Sequence, residues 1–346
     1  VVNISVIEPH RPPDNPPPRP RQCRAKSSGP ALAHLARGAN LVMLRPMQDQ
    51  PTPSQPLSIG FIGTGVMGGP IAGHLARAGH RLTVYNRSRA KADAFAAHHG
   101  ARVATSPAEA ATGADVVISC VGNDDDLSQI TLGRDGAFRA MQRGALFIDH
   151  TTVSARIARQ LSVEADSLGL LCLDAPVTGG QSGAQAGTLS IMCGGSSAAF
   201  ARGEAVMRAY TARIVHIGSA GAGQTAKMAN QIAIAGVLAG LSEALHFAQT
   251  ARLDTDKVFE AISGGAASSW QMTNRWATMA RGEYDFGFAV DWMRKDLGLA
   301  IDEARANGAV LPTAALVDQF FGDLQRMGRG RQDTSVLVER LPKPCV

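Results

Sequence analysis

A chain of 346 residues, 45% apolar and 18% charged, has the length for two domains and a sizeable core and the balance of a soluble globular protein. No run reads as long and apolar enough to span a bilayer, and Cys23, Cys120, Cys172, Cys193 and Cys345 are scattered without a Cys-x-x-Cys pair, which argues against a disulfide frame or structural zinc and suits a reducing cytoplasm. The formal charge of +5 does not point to nucleic acid, because residues 1–56 set seven Lys/Arg against Glu8, Asp14 and Asp49, a net +4 that leaves only +1 for the body.

Residues 1–56 also hold twelve of the eighteen prolines, so they are expected to be a disordered extension outside the fold. They lack the apolar stretch of a secretory signal and suit a transit peptide poorly, which makes Met43 and Met47 candidate starts. A basic arm on nucleic acid is the sharper reading of the same residues. It requires salt-sensitive binding that disappears when they are deleted.

From Leu57 a strand (Ile59, Phe61, Ile62) leads into Gly63, Gly65 and Gly68, whose Gly-x-Gly-x-x-Gly spacing opens a helix with Met67, Ile71 and Leu75 on one face. Gly63 would make the turn, Gly65 would let backbone reach a pyrophosphate, and Gly68 would let helix pack on strand. The diphosphate would sit at the positive end of that helix. A second strand, Arg81–Tyr85, completes a βαβ unit. Helices are then expected at Ser88–His99, at Ser106–Glu109 through a capping box, at Ser154–Leu168 and at Ala198–Ala209. Strands are expected at 101–104, Asp115–Cys120, Ala145–Asp149, Leu170–Asp174, Leu189–Cys193 and Arg213–Ile217. This alternation means an α/β, doubly wound, mostly parallel sheet over residues 57–219.

Past Ser219–Gly223 the pattern is helical only. Gln224–Arg252 is one long helix, apolar nearly all round and therefore expected between domains or subunits; further helices follow to Met327. The expectation is an all-α domain at 220–330 joined through that long helix, with a polar tail at 331–346.

Asn86, Arg87 and Ser88 stand at the end of the second strand, where an NAD site usually carries a carboxylate for the ribose hydroxyls. Arg87 can pair with a 2′-phosphate, and Asn86 and Ser88 can donate to it, so NADP(H) is favoured over NAD(H). The alternative leaves Arg87 solvated and Ser88 a helix cap. Lys227 lies near the start of the long apolar helix with Asn230 and Gln231 on its face. It could protonate a carbonyl oxygen as hydride arrives, or it could snorkel to the surface. Asp174–Gly183 leaves a strand end, and Thr178, Gly179 and Gly180 could receive a small carboxylate, or form only a flexible loop.

Asp124, Asp125 and Asp126 lack calcium-loop spacing and are expected to cap a helix beside the cofactor; no metal site is expected. His98 and His99 read as solvated, His150 as a satisfied histidine, and Trp270, Trp276 and Trp292 as core or interface. No Ser, Cys or His arrangement suggests a hydrolase.

Four separated stretches together resemble the β-hydroxyacid dehydrogenase family, from about Leu57 to Met327. Gly60–Gly68 is similar to its cofactor motif, which implies that Thr64, Val66 and Met67 join the three glycines there. Asp174–Gly180 with Gly187–Leu189 is similar to its substrate motif, Gly223–Lys227 with Asn230 to its catalytic motif, and Lys295–Leu297 to its C-terminal cofactor motif. The resemblance implies Lys227 as the catalytic residue and Asn230 as the residue that orients the substrate; Gln231, on the same helix face, is a substrate-binding candidate from its spacing. It further implies Thr178–Gly180 as the carboxylate anchor, Val121, Gly122 and Thr152 along the cofactor, and Lys295 closing over it; Asp126 joins the cofactor-binding candidates through the acidic run expected to cap a helix there. It implies a small hydroxy acid or its semialdehyde as substrate, and a homodimer or homotetramer built on the long helix. Three positions depart from the family: Thr178 where serine is frequent, Val121-Gly122 where Leu-Pro is common, and His150 where serine is common. Imine reduction and a non-catalytic cofactor-binding module are the competing readings on this architecture, and Lys227 argues against both.

Overall fold

A computed structural model describes residues 55–342. The expected extension lies outside them except for Gln55 and Pro56, as do Met43, Met47, Cys23 and Cys345. The first half alternates β1 (Ser58–Ile62), α1 (Gly68–Arg77), β2 (Arg81–Tyr85), α2 (Arg89–His99), β3 (Arg102–Val103), α3 (Pro107–Ala111), β4 (Val116–Ser119), α4 (Asp124–Leu132), β5 (Leu146–Asp149), α5 (Ala155–Ser167) and β6 (Leu171–Asp174). These strands lie parallel in the order β3-β2-β1-β4-β5-β6. Consecutive apolar residues serve opposite faces, as the two-residue strand period requires. Phe61, Ile118 and Ile148 face α1, and Ile62, Val117 and Phe147 face α4 and α5.

Three more strands extend the sheet: β7 (Val177–Thr178), β8 (Leu189–Gly195) and β9 (Thr211–Gly218), with α6 (Gly180–Ala186) and α7 (Ser197–Met207) between them. β8 runs antiparallel to β6 and β7 and parallel to β9. Chain order reverses between β1 and β4, and the crevice at their carboxyl ends is where open α/β sheets take ligands.

α8 (Ala222–Thr250) then runs into a helical domain of α9 (Thr255–Ile262), α10 (Trp270–Arg281), α11 (Val290–Asn307) and α12 (Pro312–Arg326). Leu238, Leu241 and Leu245 of α8 pack with Trp276, Met293, Leu297 and Phe321. Two expectations are corrected here. Residues 331–342 are not a loose tail, because Thr334–Arg340 forms a 3-10 turn whose Val336 and Leu337 sit in this core and whose buried Asp333 pairs with Arg275 at 3.1 Å. α8 does have the length and mean hydropathy (1.4) to cross a bilayer. Here one face of it is core, and the other leaves Val237 (39% exposed) and Phe247 (71%) on the surface of the single chain.

Trp276 is buried as expected, but Trp270 and Trp292 are partly exposed; Trp270 stacks on Arg275. The capping box is also altered. Ser106 Oγ accepts from Glu109 N at 3.1 Å, while the Glu109 carboxylate takes the N–H of Thr105 rather than that of Ser106.

Candidate active site

The turn from β1 into α1 is built for close approach. Gly63 has φ +100°, and a Cβ there would lie 2.2 Å from Cys120 O. At Gly68 a Cβ would meet Gly63 O at 1.9 Å, so helix and turn can touch only without a side chain. Gly65 differs: among the described residues nothing lies within 4 Å of a Cβ built on it. Its backbone faces open space at the start of a helix whose first turn carries no acidic residue. Thr64 Oγ1 is buried there without a partner among the described residues, and Val66 is exposed. A bare glycine edge, an orphaned hydroxyl and a helix N-terminus fit a dinucleotide's pyrophosphate.

Asn86 ties this loop to the end of β2, its Oδ1 accepting from Thr64 N at 3.1 Å and its Nδ2 donating to Ser88 O at 3.0 Å. Its amide is therefore largely committed to the loop, and the other donors at this end are the Arg87 guanidinium and the Ser88 hydroxyl. Ser88 takes the N-cap position of α2, but its hydroxyl makes no capping bond. Arg87 is not simply solvated, since it pairs with Asp126 Oδ1 at 2.8 Å. The cap of α4 is Asn123, whose Oδ1 accepts from Asp126 N, rather than one of the three aspartates. Among the described residues no cluster of His, Cys, Asp and Glu could hold a metal.

Across the crevice, Lys295 of α11 donates to Gly122 O at 3.2 Å and to Thr152 O. Trp292, one turn earlier, lies over the same loop, with its Cη2 3.6 Å from where a Gly122 Cβ would be. The helical domain thus reaches the cofactor loops through α11, and the structure brings Val121–Gly122, Thr152 and Lys295 together.

Lys227 is buried in the second turn of α8, with no hydrogen bond or ion pair to its ammonium among the described residues, so it does not snorkel. Burial pushes it down to about 8, against the pull of the Asp296 carboxylate and with a smaller push from the Lys295 charge. Asp296 is the middle residue of the Lys295–Leu297 motif, with no role of its own expected from the sequence. It is buried and accepts from Gln231 Nε2 at 2.6 Å, and Gln231 Oε1 in turn accepts from Asn230 at 2.8 Å. Asn230 and Gln231 are therefore held in a chain of hydrogen bonds to one buried carboxylate on α11, which acts on Lys227 through its charge.

The base of α8 is clasped to the sheet by two further residues without an assigned role. Asp174, at the end of β6, accepts from Gly221 N at 2.7 Å and Gln224 N at 2.9 Å, satisfying free amides of the helix N-terminus. Gln224 accepts from Val153 N at 3.1 Å and donates to Thr151 O at 2.7 Å. Lys227 is one turn beyond this clasp. From Asp174 the chain enters β7, where Thr178 pairs with Ser190, and then Gly179 (φ +127°) and Gly180 (φ +64°) lead into α6, so the stretch is ordered rather than a loose loop. Among the described residues no hydrogen bond links Thr178–Gly180 to Lys227, Asn230 or Gln231.

Beneath the site, His150 is satisfied as expected, with Nδ1 2.6 Å from Ala175 O and Nε2 2.9 Å from Tyr210 Oη. Burial pushes it down to about 4, so it is neutral; Nδ1 donates to the carbonyl and Nε2 accepts from the tyrosine. Asp149 accepts from Ser119, Thr151 Oγ1 and Thr151 N, yet burial still pushes it up to about 7. Its folded value lies above its free value of 3.8, so its contribution to stability is complete below about 4 and is lost as pH rises through about 7. Neutral His150 has the opposite sign over much of the same window, so Asp149 is read as a difference: the stability of wild type minus that of Asp149→Asn should fall between pH about 4 and about 7, by at most about 4 kcal/mol.

Comparison with known proteins agrees with this architecture. Residues 58–218 match the model of the NAD binding domain of 6-phosphogluconate dehydrogenase, and residues 221–341 match that of the NAD-binding domain of NADP-dependent 3-hydroxyisobutyrate dehydrogenase. An uncharacterized oxidoreductase of Shewanella frigidimarina is 54% identical, with 82% of this chain and 98% of that protein covered. A 3-hydroxyisobutyrate dehydrogenase of Pseudomonas aeruginosa is 37% identical over 76% of this chain and 90% of that one. The solved Mycobacterium tuberculosis 3-hydroxyisobutyrate dehydrogenase with L-serine superposes with a TM-score of 0.75 at 32% identity, covering 82% of this chain and 99% of that one. The chain belongs to the β-hydroxyacid dehydrogenase family and is an NAD(P)-binding oxidoreductase of the 3-hydroxyisobutyrate dehydrogenase type.

Proposed function

We propose that this protein interconverts a small 3-hydroxy (or 2-hydroxy) acid and its semialdehyde or oxo acid with NADP(H), Lys227 handling the proton on the reacting oxygen. The observation that carries the reading is an otherwise unpaired, buried lysine at about 8 beside a dinucleotide crevice. When bound, the nicotinamide supplies or accepts the hydride. In reduction the Lys227 ammonium donates its proton to the carbonyl oxygen and becomes an amine. In oxidation the amine takes the hydroxyl proton. While charged, the ammonium also stabilises the developing alkoxide in a site shielded from water. Thr178 and the amides of Gly179 and Gly180 receive the substrate carboxylate, and Asn230, held through Gln231 and Asp296, orients the substrate. The L-serine of the M. tuberculosis relative is itself a 3-hydroxy acid, which supports this substrate class.

NADP(H) is favoured because Arg87, exposed though paired with Asp126, and the Ser88 hydroxyl, which makes no capping bond, are the donors presented at the β2 end. Val66 and Met67 line the pyrophosphate turn, and Lys295 closes the crevice over Thr152 and Gly122. The exposed Val237–Phe247 face of α8 is the surface of a homodimer or homotetramer. The free thiols of Cys120, Cys172 and Cys193 suit a reducing cytoplasm.

The test is oxidation of NADPH and NADH with glyoxylate, tartronate semialdehyde, succinic semialdehyde and methylmalonate semialdehyde. Consumption of NADPH with one of them supports the reading. Tight NADPH binding without turnover on any of them counts against the carboxylate anchor and raises imine reduction. The glycines give a separate check. Gly65→Ala should keep its stability within about 0.5 kcal/mol and bind NADPH more weakly. Gly68→Ala should lose about 3 kcal/mol, read as a lower urea midpoint, because its Cβ meets Gly63 O.

A further inference from the structure

The ends of β2 and β4 flank β1, so a contact between residues just beyond them passes over the mouth of the glycine turn. The Arg87–Asp126 ion pair, at 2.8 Å, is such a contact. Arg87 follows β2 and its side chain is 84% exposed, open to an incoming anion. Asp126 lies in the first turn of α4, and its side chain is only 23% exposed. Its Oδ2 sits 2.6 Å from where a Gly122 Cβ would be, a place it can take because residue 122 has no side chain, and the Trp292 ring lies 3.6 Å from the same point. Asp124, two residues earlier, is engaged elsewhere, accepting from Ser154 and pairing with Arg156 at 3.4 Å. Arg87 is the cation with which Asp126 pairs.

We propose that Asp126 sets the cofactor discrimination of this enzyme by competing with the 2′-phosphate of NADP(H) for Arg87. The proposal rests on the reading of Arg87 as the 2′-phosphate partner. A phosphate carries more charge than a carboxylate and offers three acceptor oxygens, so it takes the guanidinium when it arrives. Asp126 then loses its partner and faces a like charge. The 2′-hydroxyl of NAD(H) makes no such demand and leaves the ion pair closed. The carboxylate therefore lowers affinity for the phosphorylated cofactor alone, and the preference for NADP(H) is narrower than Arg87 by itself would produce.

The test is the Kd of NADPH and NADH, by calorimetry at one fixed ionic strength, for wild type, Asp126→Asn, Arg87→Ala and the double variant. Melting curves accompany each protein; Asn123 remains as the cap of α4 in all of them. Asp126→Asn should bind NADPH about threefold more tightly, the scale of an exposed ion pair, with NADH unchanged. In the Arg87→Ala background the same change should have less than half that effect, because no guanidinium remains to be released. Unchanged or weaker NADPH binding in Asp126→Asn overturns the proposal. So does weaker NADH binding, which would make Asp126 a ribose ligand, or an undiminished gain without Arg87, which would reduce it to bulk repulsion. Failure of the underlying reading looks different: Arg87→Ala would then weaken NADPH no more than NADH.

Discussion

Lys227→Ala is expected to lower kcat by about a thousandfold, the range of a lost general acid, with the Kd of NADPH little changed. Lys227 sits among α8 and α11 side chains, whereas the proposed cofactor contacts come from the β1 turn, the β2 end and Lys295. Its pKa adds a signed pH dependence. Burial pushes the ammonium down from 10.5 to about 8. Reduction needs the protonated form, so its rate should fall as pH rises through about 8, whereas oxidation needs the amine and should rise over the same range. Lys227→Arg should stay slow, since guanidinium does not release its proton in this range. A variant that keeps wild-type turnover would remove Lys227 from the chemistry and leave it a structural cation.

Asp174→Ala is expected to have the largest structural effect away from the glycine turn. The carboxylate satisfies Gly221 N and Gln224 N at the foot of α8, and both amides would be left unpaired in a buried place. At about 1–3 kcal/mol for each orphaned donor, the loss should approach 3 kcal/mol, seen as a lower urea midpoint at unchanged slope. Asp174→Asn keeps one acceptor oxygen and should lose less. The functional consequence follows from position: Lys227 is one turn beyond Gln224, so a foot that shifts by a fraction of an ångström misplaces the ammonium. Both variants should show kcat reduced more than the Kd of NADPH is raised. Intact kcat in a folded Asp174→Ala protein would show that the clasp does not position Lys227.

The nucleotide half was legible in the residues because its signals are local. Gly63, Gly65 and Gly68 answer to backbone geometry within a few residues, and the paired apolar runs at Phe61–Ile62, Val117–Ile118 and Phe147–Ile148 mark strands buried on both faces. Lys227 stood out as a charge on an apolar helix. What escaped notice depends on distant partners. Asp296 meets Gln231 across 65 residues, and Gln224 reaches Thr151 across 73. Only the fold makes those side chains neighbours. β7 is two residues long and exists because Ser190 and Ile191 are there to pair with it. The turn at Thr334–Arg340 was read as tail because Val336, Leu337 and Val338 are consecutive, with neither helical nor strand spacing; a 3-10 turn buries all three at once. The long helix reads as apolar all round because Val237 and Phe247 are apolar on the side away from the core, where the single chain leaves them partly exposed.

The most direct test of hydride transfer assisted by Lys227 follows the hydride itself. NADPH deuterated at the transferring C4 position is incubated with each of the four aldehyde acids, using wild type and Lys227→Ala. The product is examined by mass spectrometry and NMR. One deuterium on the carbinol carbon of a hydroxy acid with wild type, and none above background with Lys227→Ala, is the predicted result. Deuterium delivered instead to the carbon of an amine product from an imine, or delivered equally well by Lys227→Ala, would contradict it.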